Sequence, residues 1–172
     1  LQGTPTTDNS QVTTDFEAVG TINTDGRSHA GGTLIAPEYV LTAAHLVDGK
    51  DIGSLTFSVG LTSYGLDEVH IHPDYANELL GTDDGNDIAL LKLNRPVIDV
   101  EPVALWGSKL YVGDDLTLVG FGPYPGDDGF GTKRAGTTPI DGLTRNLVTW
   151  TYDGADEATT VPGDSGSPQF VL

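Results

Sequence analysis

Three short segments of this sequence carry side chains whose types and order could do chemistry together. Pro162-Gly163-Asp164-Ser165-Gly166-Ser167-Pro168 sets a serine between Gly-Asp and Gly. A sharp turn there would expose the hydroxyl and aim nearby backbone N–H groups at one spot. Thr42-Ala43-Ala44-His45 places an imidazole after two small residues, which let the backbone pack closely beneath it. Asn86-Asp87-Ile88-Ala89-Leu90-Leu91-Lys92-Leu93 opens an apolar strand with a carboxylate. Taken singly, each has a plain structural alternative: a polar loop, a half-exposed loop histidine, a strand-entry aspartate. The serine segment is the most specific, because hydroxyl and glycines stand in fixed order. A serine hydroxyl is a poor nucleophile near neutral pH and needs a base to take its proton. An imidazole suits that task and can return the proton to a leaving group.

The elements that must bring these groups together read as nearly all β. Short apolar or alternating runs recur at 16–23, 32–35, 39–42, 55–59, 68–71, 88–93, 116–121 and 147–151. Gly, Pro, Asn and Asp separate them, as in Thr24-Asp25-Gly26, Ala36-Pro37-Glu38 and Gly122-Pro123-Tyr124-Pro125-Gly126. This rhythm predicts a barrel or sandwich. Helical turns are expected only near 43–47 and 75–80. The stretch 94–106, with Pro96 and Pro102, is the candidate link between two halves.

Composition narrows the function classes. The chain has 172 residues, 25 acidic against 8 basic, for a net charge of −17. Phosphates would be repelled, so nucleic acid is not an expected partner. No run approaches the roughly 18 apolar residues of a membrane span. With no Cys, the chain has no disulfide, no thiolate metal site and no thiol nucleophile. That fits a reducing compartment or a secreted protein that folds on its core alone. Gly 23 and Pro 10 carry no fixed period, which excludes collagen and solenoid readings. Leu1-Gln2-Gly3-Thr4-Pro5 has neither the basic segment nor the apolar run of a signal peptide, which a mature chain would already have lost.

The three segments run in the order His, Asp, Ser, spaced by 42 and 78 residues. α/β-Hydrolases and subtilisins use other orders, and Gly-x-Ser-x-Ser is not the Gly-x-Ser-x-Gly elbow. On Thr42-Ala43-Ala44-His45, Asp87-Ile88-Ala89-Leu90-Leu91 and Gly163-Asp164-Ser165-Gly166-Ser167-Pro168, the chain resembles the trypsin/chymotrypsin family of serine endopeptidases. Looser similarity includes His72-Pro73-Asp74-Tyr75 and Val119-Gly120-Phe121-Gly122, and the overall look is that of the bacterial secreted branch.

The resemblance implies an all-β, two-lobed antiparallel barrel, with a first lobe at 1–100 and a truncated second lobe at 101–172. It implies a catalytic triad in which His45 activates Ser165 and a buried Asp87 holds the other ring nitrogen. The N–H groups of Gly163 and Ser165 would form the oxyanion hole. A freed ammonium at Leu1 would pair with Asp164. The family places the residue six before the serine at the base of the primary pocket. Here it is Thr159, so small or medium uncharged side chains are expected, although Asp156 and Glu157 keep a basic preference open. The substrate would be a protein or peptide, with no cofactor, no metal and no membrane partner, and the enzyme would be secreted.

The chain stops seven residues past Ser165, short of the family's second barrel. A fragment of a longer protein is the expected explanation. A further polypeptide segment completing that barrel, or a degenerate relative acting as a non-cleaving binding or regulatory module, are the alternatives. An esterase using the same residues is a third reading of the function. Elsewhere, His70 and His72 with Asp74 could face one way along a strand as metal ligands, but a structural role is expected. Asp83-Asp84-Gly85-Asn86-Asp87 is acidic enough for calcium yet lacks the EF-hand spacing. Asp127-Asp128-Gly129 reads as a solvated turn, and Trp106 and Trp150 as packing residues.

Overall fold

Alternation decides the first half of the molecule. Leu55–Val59 and Ala89–Leu93 each turn every second side chain into a core and leave the others half-exposed. Such one-sided strands must pair until the apolar face is enclosed. The computed structural model describes residues 9–76, 86–124, 130–154 and 156–171, and it shows six strands closing into a barrel. After β1 (Gln11–Val12) come β2 (Val19–Thr24), β3 (Arg27–Ala36), β4 (Tyr39–Thr42), β5 (Leu55–Val59), β6 (Thr62–Ile71) and β7 (Ala89–Leu93). The barrel runs β2-β3-β4-β7-β6-β5 and back to β2, all antiparallel, so it exposes no strand edge. Ile22, Leu34, Val40, Phe57, Leu91 and Leu93 fill its interior without solvent contact.

The second half is an open sheet. β8 (Asp115–Gly120) pairs with β9 (Arg134–Pro139), and β12 (Gln169–Phe170) and β1 flank them in the order β1-β9-β8-β12. A separate two-stranded ladder joins β10 (Gly142–Leu143) to β11 (Val148–Thr149). Leu116, Leu118, Ile140 and Ala158 form this half's core. A third cluster, Val19 with Val119 and Phe121, stitches the halves together. The start of the described chain therefore lies on the second sheet before crossing to the barrel. At the crossing, Phe16 takes φ 58°, and its carbonyl accepts bonds from the Val19 N–H and from Lys133 Nζ, each at 2.9 Å. Its ring stacks on Phe170 at 4.9 Å between centroids. That turn is why the strand expected from residue 16 begins at Val19.

The all-β expectation is met: only two one-turn 3₁₀ helices occur among the described residues, at Ala44–Leu46 and Ile52–Ser54. The first matches the expected turn at 43–47. Residues 77–80 of the second expected turn, the acids Asp83-Asp84-Gly85, the turn Asp127-Asp128-Gly129 and Leu1 lie outside the described residues. No helix among those described is long and apolar enough to cross a membrane. Nor is any described Asp or Glu buried.

Leu91, with no exposed surface, tests the barrel core. Leu91→Ala is expected to lower unfolding free energy by about 2–5 kcal/mol. Leu61→Ala, at a fully exposed position, is expected to change it by less than about 0.5 kcal/mol. Denaturant midpoints at constant slope read both.

Candidate active site

The register of two neighbouring strands assembles the first part of the site. β4 pairs with β7 so that Thr42 lies opposite Ala89. The chain leaves β4 through buried Ala43 and Ala44, which have no bulk to hold the next turn away. His45 follows in that turn, and Asp87 stands just before β7. The two meet although 42 residues separate them: Asp87 Oδ2 lies 2.6 Å from His45 Nδ1, and Asp87 Oδ1 accepts the main-chain N–H of His45 at 2.8 Å. One carboxylate thus fixes both the ring and the backbone that carries it. The second bond has no sequence signal beyond the aspartate itself.

Asp87 is not buried as expected. Its side chain is 40 % exposed and that of His45 44 %. The cause is an adjoining cleft of about 580 Å³, walled by Asp87, Ile88, Trp106, Trp150, Gly166 and Phe170 among others, which leaves the carboxylate open on one side. Tyr75, packed against the barrel core, has its phenol pKa raised by burial first and then by the charges of Asp87 and Asp48.

Two successive turns shape the serine segment. Asp164 N–H bonds to Val161 C=O at 3.0 Å, and Ser167 N–H to Asp164 C=O at 2.9 Å. The third residue of each turn is a glycine with positive φ, Gly163 at 106° and Gly166 at 75°. This is the signature of type II turns, and Pro162 stands where proline favours the first. The N–H groups of Gly163 and Ser165 donate to no described residue, whereas the two turn-closing N–H groups are used.

Asp164 anchors these turns. Its Oδ1 accepts the Gly122 N–H at 2.7 Å and its Oδ2 the Val161 N–H at 2.9 Å. A Cβ on Gly120 would overlap the carboxylate, and one on Gly122 would crowd it, so Val119-Gly120-Phe121-Gly122 makes its berth. Leu1, its expected partner, lies outside the described residues.

Ser165 docks on the barrel through its own carbonyl, which accepts the Gly31 N–H at 2.8 Å. The adjacent Gly166 lies against Thr42 and Leu46, on either side of His45 in sequence. No hydrogen bond joins Ser165 Oγ to His45 among the described residues. Such bonds are often loose in unliganded sites and tighten around substrate. Thr159 lines a smaller cavity of about 100 Å³ whose walls include Asp164 and Ser167.

The remaining candidates do not converge. His70 Nε2 contacts Glu68 Oε2 at 2.9 Å, and Glu68 also binds Lys92 Nζ at 2.9 Å. His72 Nδ1 accepts the Asp74 N–H at 3.2 Å. Among the described residues no three His, Cys, Asp or Glu side chains gather as a metal site would need.

A family model described as Trypsin matches residues 2–172. An ovochymase from Halocynthia roretzi is 32 % identical over 78 residues, covering 40 % of this chain and 5 % of the relative. Phenoloxidase-activating factor 3 from Holotrichia diomphalia is 33 % identical over 119 residues, covering 54 % of this chain and 33 % of the relative. The match therefore spans a third or less of either relative's length. Among solved structures, neuropsin, a serine protease expressed in the limbic system of mouse brain, aligns with a TM-score of 0.75. Identity there is 23 %, over 90 % of this chain and 77 % of that one, so the likeness is one of fold.

Asp164→Ala would leave the part-buried N–H groups of Gly122 and Val161 without an acceptor. The expected cost is about 1–3 kcal/mol in stability, with faster hydrogen exchange at those two amides than in the parent chain. Unchanged exchange at both would show that the carboxylate does not hold the turns.

Proposed function

This chain belongs to the trypsin family and has a trypsin-like all-β fold, and on that premise we propose that it is a serine endopeptidase acting through His45, Asp87 and Ser165. The observation that carries the reading is the packing of Gly166, next to Ser165, against Thr42 and Leu46, which bracket His45 in sequence, while Asp87 holds the His45 ring. In the proposed reaction, Ser165 Oγ attacks the substrate carbonyl carbon while His45 Nε2 takes its proton. Asp87 keeps the Nδ1 proton in place and stabilises the imidazolium. The tetrahedral oxyanion lies against the N–H groups of Gly163 and Ser165, which donate to no described residue; one such donor is worth about 3 kcal/mol in the transition state. His45 then protonates the leaving amine, the C–N bond breaks, and an acyl ester on Ser165 remains. Water, deprotonated by His45, attacks that ester, releases the acid and restores the serine.

The substrate is a protein or peptide, and the walls of the cleft are where it would lie. Thr159, with its short uncharged side chain, fits a primary pocket for small or medium uncharged residues. Residues 1–100, apart from the β1 segment that pairs with β9, would form the lobe supplying His45 and Asp87, and 101–172 the lobe supplying Ser165. Secretion is the corresponding location, supported by family membership.

A fluorophosphonate probe on the folded full chain is expected to label Ser165 in the parent and not in Ser165→Ala. Peptide cleavage should vanish with that substitution. Asp87→Asn should reduce kcat by about 10⁴-fold, as loss of this carboxylate does in triads of this kind. A folded parent chain that takes no label and cleaves nothing would point to a binding module instead. A panel of peptides and simple esters separates an endopeptidase from an esterase.

A further inference from the structure

The serine turn and the histidine arm come from distant parts of the sequence, and one buried hydroxyl stands between them. Thr42, 4 % exposed, donates from Oγ1 to the Gly31 carbonyl at 2.8 Å. Gly31 in turn donates its N–H to the Ser165 carbonyl at 2.8 Å. The β3–β4 ladder has Cα partners from Ala36 and Tyr39 to Thr33 and Leu41. Beyond it, the Thr42 side chain continues the join where main-chain pairing has ended. Gly166 closes over the same hydroxyl: a Cβ there would overlap Thr42 Oγ1, and its φ of 75° favours glycine. Thr42 is also the last residue of β4, three before His45.

We propose that Thr42 is a positioning residue for the nucleophile, its hydroxyl fixing Gly31 so that the histidine-bearing barrel sets where Ser165 stands. The proposal rests on the hydrolytic reading above. Sterics alone do not call for threonine here, since valine has nearly the same shape and the same strand preference. What valine lacks is the donor. Without it the Gly31 carbonyl is left unpaired in a buried place, and the strand segment that holds the serine turn is free to shift. Attack geometry is sensitive to such shifts, because a misplacement of about 1 Å can cost about 10²-fold in rate.

The test compares the full chain with T42V, T42A and T42S on one peptide substrate, with folding checked by circular dichroism. T42V is expected to lose about 10- to 100-fold in kcat while KM stays within about twofold and the pH profile keeps its shape. T42S, which retains the hydroxyl, is expected to stay within about threefold of the parent kcat. A T42V enzyme with parental kcat, or a T42S enzyme as slow as T42V, would overturn the proposal. Should T42V fail to fold, T42S exceeding T42A by about tenfold in kcat supports it, and equal rates overturn it. Should the parent chain itself take no fluorophosphonate label, the hydrolytic reading fails separately. Hydrogen exchange at the Gly31 amide then decides: faster exchange in T42V or T42A than in T42S supports the clamp, and equal exchange removes it.

Discussion

A single carboxylate that accepts two N–H groups of the same histidine is the interaction on which the site depends. Asp87 binds the ring of His45 and the backbone beneath it, so the imidazole is fixed in both tilt and position. Neither bond could form from local sequence. Both follow from the antiparallel pairing of β4 with β7, which puts the residues just beyond Thr42 beside those just before Ala89. That pairing is secured by the closed barrel, in which a one-residue slip would turn Leu91 and Leu93 outward. The core therefore specifies the site through register. The openness of Asp87 to the cleft marks a limit of this scheme: barrel pairing aims the carboxylate but does not cover it.

The serine segment is governed by a different constraint, that of tight turns. Two consecutive reversals, each with a glycine at its left-handed position, fold seven residues so that two N–H groups bond to no described residue. Those turns would have little stability in isolation. Asp164 ties them to the second sheet through Gly122, and the Ser165 carbonyl ties them to the barrel through Gly31. Ser165 thus sits on a bridge between an enclosed barrel and an open sheet.

Much of this was legible in the residues. Pro162-Gly163 and Ser165-Gly166 announce turns by their chemistry, strict alternation announces β5, and an apolar run announces β7. The short helical turn at His45 was legible because two alanines break the strand pattern. β9 was not: Arg134-Ala135-Gly136-Thr137-Thr138-Pro139 has almost no apolar content, and its identity as a strand comes from pairing with β8 and β1. β1 was invisible for the same reason, its two residues being exposed on a sheet formed far along the chain. The second bond of Asp87 to His45 and the Thr42 contact with Gly31 both join a side chain to remote main chain, a kind of contact that leaves no mark in composition or period.

The distribution of carboxylates has a further consequence. With a net charge of −17 and no described acid withdrawn into the interior, two copies of this molecule repel one another at short range. On the proposed endopeptidase reading, sibling copies would be the nearest available targets, and mutual repulsion would slow those encounters. The protection weakens as dissolved ions shorten the reach of the field to about 10 Å at 0.1 M and less above it. Ionic strength thereby governs how closely copies approach one another in a concentrated stock of the protein.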